Sequence, residues 1–319
     1  DDELDRLEEQ LTVVPGGVGR YLPGRPGDDT SLVNRIITAS DYELGAVIDE
    51  YPYDVRAIDD NRPFFWHFTP FTDVIGDLGQ PAGYDIEIGI GERVLIVLLG
   101  IAVLMAAVFL LLPFVLVRDT WRHMPDKANS APIFAGLGLA FIAFEITLIQ
   151  RFSLVLGYPT YSLTVTLMSI LLSTGIGALV SERWHHRPRH LLAGLTAAIV
   201  GLGLFYAFVS PSLEDALLSW PLAAKAVVVA LLCAPLGFCL GMFMPFTISL
   251  VARDSEHSRE YVAWGWAING FFSVIGSTLT TIVSMSYGFR TVMVASIVIY
   301  LLVIALLARL SARVGPVSA

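Results

Sequence analysis

One acidic side chain lies in the middle of a long apolar run. The run covers residues 133–149, and Glu145 is its only ionisable residue. A charged group at the centre of a membrane helix costs at least ~2.5 kcal/mol on insertion scales, so Glu145 should face other protein or a wet cavity. Polar residues on neighbouring apolar runs complete a candidate intramembrane polar site, which consists of Glu145, Asn269, Ser169, Ser173 and Ser273.

These residues allow two interpretations. Stripes of Gly, Ser and Thr at steps of three and four let helix backbones approach, which requires no further function. Alternatively, Glu145 and Asn269 line a polar cavity for a proton, an ion or a small molecule, and Arg151 or Arg290 could reach Glu145 from a helix end. The second interpretation also predicts a broken helix around the Gly pair between two prolines, Pro235 and Pro245.

Other reactive residue types give weaker signals. Asp59 and Asp60 stand beside Arg62 and Pro63, which is typical of a turn held by a local ion pair. Residues 1–92 contain no Gly-rich phosphate loop or metalloprotease pattern, so the two carboxylates receive no catalytic role. The histidines of a basic loop, His185, His186 and His190, are expected to be solvated. The two cysteines, Cys233 and Cys239, are expected to be packed within an apolar run. We therefore expect no catalytic residue, cofactor or metal in this chain.

The composition indicates an integral membrane protein. The chain has 319 residues, is 55% hydrophobic and 15% charged, and has a mean hydropathy of +0.67, which is unlike a soluble domain. Residues 1–92 hold 20 Asp or Glu against 6 Arg, whereas residues 93–319 hold 9 acids against 14 Lys or Arg. The polar part is acidic and shows no basic face with aromatics, so the expected partner is the lipid bilayer and not nucleic acid.

Seven segments are long and apolar enough to span a bilayer. They cover residues 94–117, 131–150, 160–181, 191–209, 222–244, 262–285 and 290–309. Ten of the 14 basic residues after residue 92 lie at one set of helix ends, so the C-terminus is predicted to be cytoplasmic. An odd number of spans then places residues 1–92 on the outer side of the cell (inner) membrane.

The polar N-terminal part is typical of the closing end of a soluble α/β domain. Helices are expected at residues 1–10 and 32–39, and Ser40 and Glu43 form a capping-box pattern that starts another helix. We assign residues 1–71 to this C-terminal remnant of a Rossmann-like domain, 72–92 to an interfacial linker and 93–319 to an all-α transmembrane domain. The first residue is Asp and no signal peptide follows, so the chain is expected to begin inside a larger polypeptide.

Several motifs resemble those of membrane-associated, spermidine-synthase-like proteins. The motif positions are Asp59, Asp60, Arg62, Pro63, Arg151, Tyr158, Pro159 and Tyr161, and similar stretches follow at residues 235–242, 264–270 and 287–290. In that family a Rossmann-type domain, akin to S-adenosylmethionine-dependent methyltransferases and aminopropyltransferases, is fused to hydrophobic helices. This chain resembles the C-terminal half.

The resemblance implies a non-catalytic membrane anchor or accessory half, because the family's nucleotide-binding turn and catalytic acid would lie upstream and have no counterpart here. Such a half would hold a missing N-terminal domain or pack against other membrane subunits. One alternative is a transporter-like module for a small amine or a proton, with Glu145 as the coupling residue. Another is an enzyme for aminopropyl or methyl transfer that a missing N-terminal part completes.

Overall fold

The computed structural model describes residues 2–13, 32–50, 53–54, 56–76, 89–116, 127–184, 187–251 and 258–314. Within these ranges the regular structure is helical, and the β-type pairing is one isolated bridge between Asp59 and Arg62. A 3₁₀ turn, Glu182–Trp184, follows the seventh helix, and a π-helical turn, Phe205–Val209, joins the eighth to the ninth. The helices are α1 Asp2–Val13, α2 Leu32–Thr38, α3 Asp41–Glu50, α4 Phe71–Gly76, α5 Ile90–Leu116, α6 Lys127–Leu156, α7 Pro159–Ser181, α8 Pro188–Leu204, α9 Ser210–Leu217, α10 Leu222–Val251, α11 Ser258–Tyr287 and α12 Phe289–Val314.

The chain divides into two compact units, and the first comprises Asp1–Ala57 and Phe65–Pro70. The helix start expected at Ser40 is present, because the Ser40 backbone N–H and hydroxyl both donate to Glu43 Oε2, at 3.0 and 2.7 Å. The hydroxyl, followed by the backbone N–H, holds the pKa of Glu43 below its ordinary value. The described part of this unit contains helices α1 to α3 and no strand, so its origin in an α/β domain stays a prediction.

The second unit comprises Ile58–Phe64 and Phe71–Ala319, and we call it the membrane unit. Its described residues include seven helical segments that are long and apolar enough to cross a membrane, which confirms the expected number. All seven begin within four residues of the predicted starts, and the second and fifth run six and seven residues past their predicted ends. The fourth was expected to end at residue 209, yet it continues through the π-helical turn and α9 to Leu217. A π-helical turn accommodates an extra residue without ending the helix, so the span extends into a more polar sequence.

Helix α6 occupies the centre of the membrane unit and contacts α7, α10, α11 and α12. The most extensive pairs are α7 with α10 and α6 with α11. Aromatic rings fill the space between α6, α10 and α12, where Tyr300 lies 6.0 Å from Phe144 and 4.9 Å from Phe243 between ring centroids. Helix α5 differs, since only 6% of its most apolar stretch is buried inside the protein. It therefore lies at the edge of the bundle.

The expectation of a broken helix around Pro235 and Pro245 is wrong. Helix α10 runs without interruption from Leu222 to Val251 with both prolines inside it. Proline frees backbone carbonyl groups, and hydroxyl groups of neighbouring membrane helices commonly bond such carbonyls. Pro235 leaves the Leu231 carbonyl without its backbone donor. The carbonyls on either side of it accept bonds from other helices: Ser169 of α7 donates to the Ala230 carbonyl at 2.6 Å, and the Tyr206 hydroxyl donates to the Leu232 carbonyl.

The predicted linker, residues 72–92, is partly helical. Its first residues belong to α4, Phe71–Gly76, and its last belong to α5, which begins at Ile90. Phe71 and Val74 are buried in α4, so this short helix forms because it has apolar residues to bury. Residues 77–88 lie outside the described part of the chain.

Candidate functional site

Two polar side chains of the predicted intramembrane site join α11 to α6. Asn269 Nδ2 donates to the Phe134 carbonyl at 3.3 Å, and Ser273 Oγ donates to the Gly138 carbonyl at 3.2 Å. Gly138 permits this approach, because a Cβ atom there would lie 2.2 Å from the Asn269 carbonyl oxygen. These residues therefore have a packing role that accounts for their position.

Glu145 lies on the same face of α6 as Gly138, because seven residues make almost two helical turns. The side chain is only 7% exposed, so it packs against protein. Its Oε1 atom has no hydrogen-bond partner among the described residues. The two basic residues that could have reached it, Arg151 and Arg290, lie instead around a cavity at one end of the bundle. Glu145 is thus a buried carboxyl group with free hydrogen-bonding capacity.

Ser169 and Ser173 belong to the interface between α7 and α10. Ser169 Oγ donates to the Ala230 carbonyl, and Ser173 lies against Gly237, where an added Cβ would come within 3.1 Å of the Ser173 Cβ. The five candidates are therefore divided between two helix interfaces. The α6 and α11 interface holds Glu145, Asn269 and Ser273, and the α7 and α10 interface holds the two serines.

A buried ion pair, which the sequence analysis missed, links α6 to α9. Arg151 Nη2 lies 2.8 Å from Glu214 Oε1, and the two side chains are 6% and 12% exposed. The same guanidinium donates to Ser210 Oγ at 3.1 Å and to the carbonyl of Tyr206 within the π-helical turn. Ser210 Oγ in turn donates to Glu214 Oε1 at 2.8 Å. Arg151 thus bonds a carbonyl of the irregular turn and neutralises Glu214.

The sequence carries a local signal for one side of this network. Ser210 and Glu214 are four residues apart, and Pro211 lies at the first turn of α9. Proline favours that position of a helix and residues four apart share a helical face. The pattern predicts a helix with a polar face that continues beyond residue 209, the expected end of the fourth span.

A cavity of about 340 Å³, which we call the end cavity, opens beside this ion pair. Its four carboxylates and two guanidinium groups give a formal charge of −2. Its lining contains no hydroxyl, thiol, amine or imidazole side chain among the described residues. Such a cavity can hold a small polar or cationic molecule. The lining residues are Asp59, Asp60, Asn61, Arg151, Leu154, Val155, Pro211, Glu214, Asp215, Leu218 and Arg290.

The loop of residues 58–64 is bonded to the start of α12. The Phe289 N–H donates to the Asn61 carbonyl at 2.8 Å, and the Arg290 N–H donates to Asn61 Oδ1 at 2.8 Å. The rings of Phe64 and Phe289 meet edge to face with centroids 5.6 Å apart. The first N–H groups of a helix lack partners within it, so Asn61 caps α12 from a distant part of the chain. Gly288, with φ +83°, provides the turn that brings α12 to this loop.

Within this loop, Asp59 and Arg62 form the expected turn, and the bonds between them go to the backbone N–H of Arg62. The Arg62 backbone N–H donates to Asp59 Oδ1 at 2.7 Å and to the Asp59 carbonyl at 2.9 Å. The carboxylate therefore bonds the backbone of Arg62. Arg62 and Pro63 are half-buried and do not line the end cavity, whereas Asp59 and Asp60 do.

The motif around Tyr158 forms the corner between α6 and α7. Tyr158 and Tyr161 are 66% and 47% exposed, and their rings meet edge to face at 5.6 Å. Pro159 is the first residue of α7. Ser162 Oγ donates to the Ile149 carbonyl at 2.5 Å, which ties the two helices together. The exposed rings suit the headgroup level of a bilayer.

Metal binding has no support from the described residues, which contain no group of three or more His, Cys, Asp or Glu placed to hold an ion. Cys233 is buried and Cys239 is half-buried, and neither forms a disulfide. His190 is exposed, whereas His185 and His186 lie outside the described residues.

Comparison with known proteins gives no family for this chain. No protein-family model, no curated protein and no solved structure matches it.

Proposed function

We propose that this chain is the non-catalytic membrane half of a larger spermidine-synthase-like protein and that it anchors a soluble N-terminal domain. The observation that carries the proposal is the loop of residues 58–64. This loop caps α12 through Asn61 and packs Phe64 on Phe289. Its flanking residues, up to Ala57 and from Phe65 to Pro70, belong to the N-terminal unit. A flexible tether would need no such bonds.

The proposal includes a place in the cell and a set of partners. The membrane unit sits in the inner membrane with its C-terminus in the cytoplasm and residues 1–92 on the outer side. Its partners are the bilayer and either a missing N-terminal domain or other membrane subunits. Support comes from the seven helical segments that are long and apolar enough to cross a bilayer.

Replacing Phe64 tests whether the loop holds the N-terminal part on the membrane unit. A protease site is inserted within residues 77–88 of the full chain, and the purified protein is cleaved in detergent. Removal of one aromatic contact and its apolar surface by Phe64→Ala should raise the fraction of released N-terminal fragment about tenfold. Size-exclusion chromatography after dilution measures that fraction.

Phe65→Ala is the matched control, because Phe65 is the next residue, is 58% exposed and belongs to the N-terminal unit. Helix α4 stays on the N-terminal fragment in all variants, so any difference reports the loop. Equal release of the Phe64→Ala and Phe65→Ala fragments would refute anchoring by this loop.

A second candidate function, a transporter-like module for a small amine or a proton, is favoured by one observation. Glu145 is buried within a span, and its Oε1 atom lacks a partner among the described residues. A carboxyl group at this depth with unused bonding capacity is typical of ion and proton pathways.

Glu145→Gln removes the titratable group and keeps the shape of the side chain. If the chain transports amines, uptake into vesicles containing the full chain should fall at least about tenfold, as expected for the loss of an essential proton carrier. Glu182→Gln, at an exposed Glu of the 3₁₀ turn, should transport normally. Unchanged uptake and export of every amine tested in Glu145→Gln would end this candidate.

A further inference from the structure

An apolar groove lies on the side of the membrane unit between α5, α6, α11 and α12. Its larger part, lined by Leu110, Trp264 and Phe272 among others, has a volume of about 570 Å³. A smaller part of about 310 Å³ follows α12 as far as Arg309. We call the two parts together the bilayer groove. They adjoin because three lining residues belong to both, namely Pro132, Gly136 and Ile299.

The charge of the bilayer groove is confined to one end. Arg309 is the only charged residue among its described lining residues, and its side chain is exposed. It lies ten residues after Ile299, which is roughly 15 Å farther along α12. Trp264 lies in the second turn of α11, near the same end of the bundle as Arg309, because α11 and α12 are consecutive helices joined at Gly288. The groove is therefore apolar within the span and cationic at its edge.

We propose that the bilayer groove binds an anionic diacyl phospholipid. Its two adjoining apolar parts receive the acyl chains, and the Arg309 guanidinium bonds the phosphate at the level where phosphates and basic residues meet. An apolar helix of a second copy or of another protein would cover the groove, but it would leave Arg309 without an anionic partner. This site goes beyond the proposed function and depends only on the membrane unit crossing a bilayer.

Quenching of tryptophan fluorescence by lipids that carry bromine on their acyl chains tests the proposal. The purified chain is placed in vesicles of phosphatidylcholine that contain increasing amounts of either brominated phosphatidylglycerol or brominated phosphatidylcholine. The signal of Trp264 is the difference between the chain and its Trp264→Phe variant. One basic residue near an anionic surface corresponds to about a fivefold preference. We expect brominated phosphatidylglycerol to quench Trp264 at about a fivefold lower concentration than brominated phosphatidylcholine.

Trp266 provides the internal control, since it is 54% exposed and does not line the groove. Its signal, obtained with a Trp266→Phe variant, reports ordinary bilayer lipid.

Arg309→Gln should remove the preference at Trp264, whereas Arg259→Gln, at an exposed basic residue outside the groove, should keep it. Ala305→Phe fills the smaller part without adding a tryptophan and should weaken quenching, whereas Ala308→Phe, outside the groove, should not. Equal quenching of Trp264 by both lipids overturns the proposal, and so does a preference that survives Arg309→Gln. Absence of any quenching at Trp264 means that protein covers the groove and overturns it as well.

Discussion

Arg151→Met is expected to lower the free energy of unfolding of the membrane unit by about 3 to 5 kcal/mol. This is the usual cost of leaving one member of a buried ion pair without its partner. The substitution keeps side-chain volume and leaves the Glu214 carboxylate, 12% exposed, without its counter-charge. It also removes the donor for the Tyr206 carbonyl in the π-helical turn. Reversible denaturation in mixed micelles, followed by circular dichroism, measures the change.

Two further variants make this result specific. Arg290→Met changes an exposed guanidinium of the same end cavity and should alter stability by no more than about 0.5 kcal/mol. The double variant Arg151→Met with Glu214→Leu removes both charges, and it should recover much of the loss because apolar replacement of a whole buried pair is often neutral. If Arg151→Met is as stable as Arg290→Met, the ion pair does not hold α9 to α6.

Gly177→Ala should destabilise the membrane unit by about 1 to 3 kcal/mol, the usual cost of overpacking. A Cβ atom at Gly177 would lie 2.0 Å from the Phe238 carbonyl oxygen of α10 and 2.9 Å from its carbon. These are backbone atoms, so α7 and α10 must move apart, and this is the most extensive helix pair of the unit. Thermal unfolding in detergent at matched protein concentration gives the size of the effect.

Gly175→Ala is the matched control on the same helix. An added Cβ there meets no atom within 4 Å, and alanine is a better helix former than glycine by up to about 1 kcal/mol. The control should therefore be neutral or slightly stabilising. We therefore expect the two substitutions to change the stability of the membrane unit in opposite directions, although they are only two residues apart. Equal changes in stability would show that α7 does not approach α10 as closely as described.

The features of the fold that follow from local sequence are the ones that could be predicted. Span length and apolar composition fix the number of spans, and the capping pattern at Ser40 and Glu43 fixes the start of α3. Small residues at steps of three and four also identify packing faces, because Gly177 and Gly241 both lie against backbone of the facing helix. Each of these features depends on residues within a few helical turns.

The features that could not be predicted depend on which distant segments meet. Glu214 lies beyond the predicted end of the fourth span, and its counter-charge, Arg151, is 63 residues away in the sequence. The division of the polar candidates between two interfaces depends on which helices pair, and spacing along one helix does not reveal that. The bonds that carbonyls of α10 accept near Pro235 likewise come from distant residues, Ser169 and Tyr206. Tertiary contacts override local preference in these cases.

The capping of α12 by Asn61 also bears on the order of events during synthesis. Asn61 and Arg290 are separated by 229 residues. At ~5 to 20 residues per second, the ribosome needs roughly 10 to 50 s to reach Arg290 after adding Asn61. Throughout that interval six earlier spans have to be inserted while the loop waits for its partner. Closure of this bond therefore has to follow synthesis of the first six spans and of the start of α12, which makes it a late step in the assembly of the bundle.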